Sequence, residues 1–423
     1  MLKKNPSLDR TLLPKRLLLL LVLIVAWQRT ASTETSAEGS DTLIRHRLEA
    51  EGISFTSDNS VKLLMSGQAK FDDMFEAIRQ ARHSVHLEYF NFRNDSIASL
   101  LFDILREKRR EGVEVRALFD GFGNDSNNQP LRKSHIRSLR DDSIDIHEFD
   151  PIRFPWVNHI WPRDHRKIVV IDGAIAYTGG MNVADYYIKG TEQVGEWRDM
   201  HCRIEGSAVN DLQRIFARIW QKTTGERIDG EQYYRGAPTG TTTVGIINRE
   251  PHTTNTIMRR FYVGAIDDAH DSIKIVNPYL TLIPCVKKAL HRAIKRGVRV
   301  EVLVSAKSDI PLTPDCVYYN AHKLMKRGAH VWFYEPGFHH SKIMMVDGRF
   351  CTVGSTNLDA RSLRFDYEVN AVVLDQRVTH QLDSMFNSDK RSSFYLTPQK
   401  WKEVRTPWKK LVGWFGHLLT PFL

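Results

Sequence analysis

The sequence predicts an α/β protein made of two domains of one design. At 423 residues the chain exceeds the usual size of one hydrophobic core, so two domains are expected. A helix-like segment followed by a strand-like run also occurs twice, at corresponding places in the two parts of the chain. Repeated helix–strand order is typical of α/β folds, and so long a spacing indicates two domains rather than a solenoid.

The first 45 residues are predicted to be a signal peptide or signal anchor followed by a linker. Basic residues precede an uninterrupted apolar run from Leu17 to Trp27. This run has the length of a signal-peptide core and is short for a membrane span; a buried core helix is the alternative. Because basic flanks stay in the cytoplasm, the rest of the chain is expected across the membrane. The Ser/Thr/Glu-rich stretch from Ser32 to Asp41 is predicted to be the linker.

The two domains are predicted over residues 46–235 and 244–395. An amphipathic helix that leads into a strand lies at Ala77–Phe90 in the first copy and at Ala265–Leu280 in the second. The Gly/Pro/Thr-rich stretch from 236 to 243 is the expected junction.

A second shared feature is a basic helix that stops at a glycine, Gly112 or Gly297, before a β-branched strand. The spacing between corresponding residues falls from 185 at these glycines to 175 at the motifs described next. We therefore expect extra loop residues in copy one, between Asn124 and Trp161.

Each domain carries one copy of a motif that reads H-x-K, four residues, Asp, six residues, Gly-[Gly/Ser]-x-Asn. The motif residues are His165, Lys167, Asp172, Gly179, Gly180 and Asn182 in the first copy and His340, Lys342, Asp347, Gly354, Ser355 and Asn357 in the second. Since alternate residues of a strand share a face, each His and Lys should point the same way. The two motif aspartates follow an apolar strand and are expected to bond backbone rather than substrate.

Brought together, the two motifs predict a site for phosphodiester chemistry. One imidazole can attack phosphorus while the other protonates the leaving oxygen. A covalent phosphohistidine would then be resolved by an alcohol or by water. The lysines and asparagines would stabilise charged oxygens, and the small residues would let backbone approach the anion. We expect no cofactor and no metal; the four cysteines form no CxxC pair.

The two motifs resemble the HKD signature of the phospholipase D superfamily. The GGMN segment, Glu196–Val209 and His86–Asp95 are similar to bacterial cardiolipin synthases, and the resemblance covers roughly residues 60 to 423. It implies two phospholipase D-like α/β/α sandwich domains packed as a pseudo-dimer, with the active site at their interface.

The resemblance also implies roles for individual residues. A downstream carboxylate is expected to orient each motif histidine: Asp199 for His165 and Glu368 for His340. The first histidine is expected to be the nucleophile and the second the acid.

The function that the resemblance implies is cardiolipin synthesis: a phosphatidyl group passes from one phosphatidylglycerol to another, with release of glycerol. A hydrolase of the same superfamily, either a phospholipase or a nuclease, is the first alternative. A non-catalytic lipid-binding protein is the second, although two complete motifs argue against it. The net charge of +10 favours anionic partners, here phosphatidylglycerol and an anionic membrane surface; no nucleic acid is expected. The expected location is the bacterial inner membrane, with the catalytic domains on the periplasmic side.

Residues 396–423 are predicted to be a basic amphipathic tail. Apolar residues recur with helical spacing from Trp408 to Phe422, after start signals at Thr406 and Pro407. Basic residues lie at its beginning: Lys402, Arg405, Lys409 and Lys410. Such a helix suits an anionic bilayer surface; packing on the core is the alternative.

Overall fold

One mixed sheet of 15 strands runs through the part of the chain that the computed structural model describes, residues 38–152, 161–310 and 313–418. The strands are β1 (Phe55–Leu64), β2 (Ser84–Tyr89), β3 (Glu114–Asp120), β4 (Asp145–Phe149), β5 (Ile168–Ile171), β6 (Ile175–Gly179), β7 (Glu196–Arg198), β8 (His201–Glu205), β9 (Thr242–Arg249), β10 (Ser272–Val276), β11 (Arg299–Ser305), β12 (His330–Tyr334), β13 (Gly337–His339), β14 (Ile343–Val346), β15 (Phe350–Gly354), β16 (Glu368–Leu374) and β17 (Ser393–Tyr395). Their order is β17-β12-β11-β10-β14-β15-β16-β9-β1-β8-β6-β5-β2-β3-β4, and β7 and β13 form a separate pair.

The helices cover both faces of the sheet. They are α1 (Ser40–Ala50), α2 (Gly67–Arg79), α3 (Ser96–Arg110), α4 (Gly121–Asp125), α5 (Lys133–Asp141), α6 (Tyr186–Lys189), α7 (Val209–Thr224), α8 (Ile257–Asp267), α9 (Pro284–Lys295), α10 (Thr313–Met325), α11 (Ala360–Arg364), α12 (Gln376–Arg391), α13 (Pro398–Val404) and α14 (Pro407–Leu418), with a 3-10 turn at Glu231–Tyr233.

The sheet repeats its own topology, so we call the part with β1 to β8 the first half and the part with β9 to β17 the second half. In the first half β2, β3 and β4 are parallel and β5 runs antiparallel to β2. In the second half β10, β11 and β12 are parallel and β14 runs antiparallel to β10. The halves join where β1 pairs with β9. The predicted repeat of one α/β design is confirmed.

Alternate residues of the motif strand face different helix layers. In β5, Val169 and Ile171 belong to the core cluster that includes α2 and α3. Ile168 and Val170 belong to the cluster that includes Leu212 of α7 on the opposite face. Because successive side chains of a strand point to opposite faces, this apolar run needs a helix layer on each side, which gives an α/β/α sandwich.

The glycines that end two helices lie where the sequence predicts them, but the extra segment of the first half does not. Gly112 and Gly297 follow helices α3 and α9 in the left-handed region, at φ 89° and 92°, as expected for helix-ending glycines. The predicted extra segment, however, begins too early. Up to Phe149 the first half has α5 and β4 where the second half has α10 and β12, and the added length lies between Phe149 and His165.

Helix α1 begins at Ser40, inside the stretch that we predicted as a linker. Ile44 and Leu48, one turn apart, are buried in the core of the second half. Arg47 donates to both carboxylate oxygens of Asp268 at 2.5 and 2.7 Å. The last two residues of the predicted linker therefore start a helix, because its apolar face packs on the core of the second half.

The predicted C-terminal tail consists of two helices, α13 and α14, and α14 starts at Pro407 as expected. Trp401 is buried and its ring stacks on His322 of α10 at 4.1 Å. Arg405, which we expected among the bilayer-facing basic residues, is instead buried and paired with Asp315. The carboxylate of Asp315 explains why Arg405 is buried, and the sequence pattern gave no sign of this pair.

The apolar run Leu17–Trp27 lies outside the described residues. Within the ranges described above, no helix combines the length and the apolar character needed to cross a bilayer.

Candidate active site

Each H-x-K sequence directly precedes a central strand. Lys167 is followed by β5, which lies between β2 and β6, and Lys342 is followed by β14, between β10 and β15. Every residue of both strands is buried, and so are both lysines. Strands that are paired on both sides hold the two His–Lys pairs in fixed positions.

The two halves place His165 and His340 on one cavity of about 580 Å³. Aromatic rings form much of its wall, including Phe90, Phe122, Trp161, Tyr186, Trp197 and Tyr279. Asn182 and Asn357 of the motifs also line it, and the Oδ1 atom of each is buried without a hydrogen-bond partner in the described chain. Unused hydrogen-bonding capacity in a buried amide indicates a place for a polar ligand.

The carboxylates that orient the histidines come from the opposite halves, which corrects our expected pairing. Nδ1 of His165 lies 3.0 Å from Oε1 of Glu368. Nδ1 of His340 lies 2.7 Å from Oδ2 of Asp199. Both expected carboxylates therefore contact a motif histidine, but each contacts the histidine of the other motif.

Backbone hydrogen bonds between the halves explain the crossed pairing. The backbone N–H of His165 donates to the carbonyl oxygen of Tyr367 at 3.1 Å, and that of His340 donates to the carbonyl of Arg198 at 2.6 Å. Tyr367 and Arg198 are the residues directly before Glu368 and Asp199. Each motif thus docks on the segment of the other half that carries a carboxylate.

The two histidines differ at Nε2. Nζ of Lys342 lies 2.8 Å from Nε2 of His340 and 2.6 Å from the carbonyl oxygen of the same residue. Lys167 instead donates to the carbonyl of His165, at 2.5 Å. Nε2 of His165 makes no hydrogen bond to any residue that the structure describes, so its lone pair is open to the cavity.

Burial sets the protonation of the site. It lowers the pKa of His165 well below the usual 6.5, and the charges of Lys167 and Lys342 lower it further. It also lowers the pKa of His340, that of Lys167 to about 7 and that of Lys342 to about 8. Burial raises the pKa of Glu368 to about 7. A neutral imidazole that donates from Nδ1 keeps a nucleophilic lone pair on Nε2, which fits His165.

The small residues of the motifs do not line the cavity, which corrects their assignment as phosphate-binding residues. A side chain at Gly180 would place its Cβ 2.3 Å from Oδ1 of Asp199. A side chain at Gly354 would meet Oδ1 of Asn370 at 2.2 Å, and Gly179 is similarly close to His201. Ser355 donates to Glu368. The glycines leave room for the segments that carry Asp199 and Glu368, and Ser355 bonds to Glu368. Of the residues predicted to bind phosphate, only Asn182 and Asn357 line the cavity.

The motif aspartates lie at the far ends of the motif strands, away from the histidines. Asp172 accepts backbone N–H groups of residues 82–84 at 2.7 to 2.9 Å. Asp347 accepts those of residues 270–272 at 2.8 to 3.0 Å. They belong to the signature but anchor the start of the neighbouring strand, so they do not belong with the catalytic groups.

Several cavity residues were missed because they lie beyond the end of the repeat. Asp359, Arg361, Ser362 and Asp366 all line the cavity. The second motif continues as N-L-D-A-R, whereas the first continues as N-V-A-D-Y. This difference between the copies is the sequence signal that marks these residues.

Among residues 38–152, 161–310 and 313–418, no group of three or more His, Cys, Asp or Glu side chains is arranged to hold a metal ion.

Comparison with known proteins places the chain in a family. A family profile described as "Cardiolipin synthase, PLD-like domain" matches residues 74–220 and 262–390, one segment in each half. A cardiolipin synthase of Oceanobacillus iheyensis is 34% identical over 387 residues, 91% of this chain and 80% of that protein. A cardiolipin synthase of Staphylococcus aureus is 34% identical over 372 residues, 87% of this chain and 74% of that protein.

Solved structures support the fold. Phosphatidylserine synthase of Haemophilus influenzae matches with a TM-score of 0.69 at 15% identity, over 90% of this chain and 100% of that chain. At that identity the likeness concerns the fold alone, whereas the sequence matches extend over most of both partners. The chain therefore belongs to the cardiolipin synthase family of phospholipase D-like enzymes.

Proposed function

We propose that the chain is a cardiolipin synthase: a phosphatidyltransferase that moves the phosphatidyl group of one phosphatidylglycerol to a glycerol hydroxyl of a second and releases glycerol. The observation that carries this proposal is the meeting of His165 and His340 on one cavity, each held by a carboxylate of the opposite half. The family and the names of the relatives support the same reaction.

In the first step, Nε2 of His165 attacks the phosphorus of the donor lipid. A P–N bond forms while the P–O bond to the leaving glycerol breaks, and His340 supplies the proton that the glycerol oxygen takes up. The open Nε2 of His165 favours it as the nucleophile. Lys342, at hydrogen-bond distance from Nε2 of His340, can provide that proton to His340.

In the second step, the hydroxyl of the acceptor lipid gives its proton to His340 and attacks phosphorus. The P–N bond breaks, cardiolipin is formed, His165 is free again, and His340 passes the proton back to Lys342. Charge on the phosphoryl oxygens is stabilised by the amides of Asn182 and Asn357, which line the cavity, and at longer range by Lys167 and Lys342, which do not line it. Both lysines are buried beside the histidines, so their charge acts in a medium of low polarity, where it is most effective.

Activity is expected to be independent of metal ions, because two ammonium groups and two imidazoles supply the charge that a metal would supply. Turnover should persist after thorough EDTA treatment and dialysis. Loss of activity that one particular divalent cation restores would contradict this expectation.

The proposed reaction is tested by incubating purified protein with phosphatidylglycerol vesicles and identifying the lipid products by mass spectrometry. We expect cardiolipin and an equal amount of released glycerol. Phosphatidic acid as the only product would establish the hydrolase alternative. Absence of both products would favour a non-catalytic lipid-binding protein.

We further propose that α14 holds the enzyme on an anionic bilayer. The helix packs on α10 through its two glycines, since a side chain at Gly413 would meet the Asp315 backbone and one at Gly416 would meet Cys316. Its apolar stripe is therefore left exposed; the exposed members are Trp408, Leu411, Trp414, Phe415 and Leu418. Packing on the fold and contact with lipid, which we had treated as alternatives, both fit the same helix on different faces.

The position of α14 suits delivery of lipid to the site. Thr313 and Cys316, in the first turn of α10, line the catalytic cavity, and Cys316 is the residue against which α14 packs. Trp161 and Ile310 line the cavity and are also exposed. A bilayer bound at the exposed apolar residues of α14 and at Trp161 and Ile310 would lie next to the cavity. We also propose that this surface faces the outer, periplasmic side of the bacterial inner membrane.

A further inference from the structure

In its second step, the proposed reaction requires the cavity to hold two lipid phosphates at once. One is the donor phosphoryl group, which is then bound to His165. The other belongs to the acceptor lipid and lies one glycerol unit away from the attacking hydroxyl. A hydrolase needs no such second site, because water carries no phosphate. The inference below rests on the proposed function and concerns the recognition of the acceptor.

Arg361 is the group in the cavity that suits a second phosphate. It is the only Lys or Arg among the described residues that line the cavity. Its Nε donates to Oδ2 of Asp366 at 2.7 Å, and its guanidinium lies 5.2 Å from the ring centre of Phe122. These contacts fix the plane of the group but leave Nη2 buried without a hydrogen-bond partner in the described chain.

The charge of Arg361 reaches the reacting histidine without touching it. After burial, the two motif lysines and His340, the guanidinium is a further cause of the lowered pKa of His165. No hydrogen bond joins Arg361 to either histidine in the described chain. Arg361 thus lies on the same cavity as His165 without binding it, so it is available to a second phosphate.

The carboxylates around Arg361 leave its positive charge available to a bound anion. Asp366 is occupied on both oxygens, by Nε of Arg361 and by the backbone N–H of Arg163 at 3.0 Å. Burial raises the pKa of Asp359 to about 7, so its negative charge is reduced at neutral pH. A buried guanidinium nitrogen with no partner is costly unless a ligand supplies one.

We propose that Arg361 binds the phosphodiester of the acceptor lipid and thereby selects a phosphate-bearing alcohol over water and over free glycerol. Guanidinium is suited to this task because its planar fork can donate two parallel hydrogen bonds to one phosphate.

The test compares two acceptors with the same donor. Purified full-length wild type, Arg361→Gln and Arg361→Lys are given phosphatidylglycerol vesicles together with radiolabelled glycerol. Cardiolipin formation reports an acceptor that carries a phosphate, and label entering phosphatidylglycerol reports one that does not. In Arg361→Gln, cardiolipin formation should fall roughly ten- to hundredfold, the loss of hydrogen bonds to a charged group. Label exchange should stay within about twofold of wild type, and Arg361→Lys should be intermediate.

A matched control is Arg364→Gln, on the same short helix but not on the cavity; both products should remain at the wild-type level. Equal loss of cardiolipin and label exchange in Arg361→Gln would overturn the inference, because Arg361 would then serve the shared chemistry or the fold. No change in either would also overturn it. If the wild type itself forms phosphatidic acid and no cardiolipin, the proposed function fails, which the wild-type sample alone reveals.

Discussion

At the scale of single residues, the two histidines can be told apart by the leaving group of the substrate. Nitrophenolate leaves from a nitrophenyl ester without being protonated, whereas the glycerol of phosphatidylglycerol needs an acid to protonate its leaving oxygen. His165→Ala should therefore lose turnover of both substrates. His340→Ala should lose about 10²- to 10⁴-fold with phosphatidylglycerol but still release one rapid equivalent of nitrophenolate, as measured by stopped-flow absorbance. A rapid release from His165→Ala would contradict the assignment.

The same assay tests the crossed carboxylates. Glu368→Gln should slow the turnover of both substrates, as His165→Ala does but to a smaller extent, because Glu368 holds the nucleophile. Asp199→Asn should keep the rapid nitrophenolate release and lose at least about tenfold with phosphatidylglycerol, because Asp199 holds the acid. The reverse result would restore the pairing within each half. Asp103→Asn, an exposed change on α3, is the control.

The pH dependence follows from the buried lysines. They act as ammonium ions, and burial lowers their pKa values from 10.5 to about 7 for Lys167 and about 8 for Lys342. Their charge is thus lost as pH rises through those values, and kcat/KM for a soluble short-chain phosphodiester should decline from about pH 7 upward. Because the pKa of His165 is well below 6.5, the acid side should decline only below that pH. An alkaline decline near pH 10 would refute this description of the lysines.

At the scale of elements, α14 shows how glycine placement decides which face of a helix is free. Its glycines face α10 and its large apolar residues face outward. Replacing Trp408 and Phe415 by Ser should remove about 2–3 kcal/mol of apolar burial at a bilayer, a roughly 30- to 150-fold weaker association with anionic liposomes. Sedimentation with liposomes measures this.

The control for this prediction is Leu100→Ser, an exposed apolar residue on α3. Turnover of a soluble phosphodiester should be unchanged in all these variants, because His165 and His340 line a cavity to which no residue of α14 contributes. Unchanged liposome binding in the double variant would show that α14 is a structural helix only.

The elements of the motifs were predictable from sequence, but their partners were not. The apolar runs after Lys167 and Lys342 predicted buried strands, and the structure has β5 and β14 there. Local spacing could not reveal which half supplies each carboxylate, because that depends on how the halves dock. The requirement for glycine at Gly180 likewise follows from Asp199, nineteen positions later, and not from an anion.

At the scale of the whole molecule, each half is incomplete. The second half contains His340 and Lys342 but takes its carboxylate from Asp199 of the first. The first half contains His165 but takes Glu368 from the second. A repeated sequence predicts two similar domains, and only the docked structure shows that each motif histidine contacts a carboxylate of the other half.

This dependence gives a last prediction, made by cutting the chain at the predicted junction. Residues 237–241 are exposed and precede β9, so a protease site inserted after Pro238 should be cleavable in the folded protein. The nicked protein should stay associated and active, because β1 pairs with β9 and α1 packs on the second half through Ile44 and Leu48. Either half expressed alone should be inactive, since its histidine lacks a carboxylate. Size-exclusion chromatography and cardiolipin formation measure both properties. Dissociation of the nicked chain under native conditions would show that the joined sheet does not hold the halves together. Activity in a single half would show that the crossed carboxylates are not required.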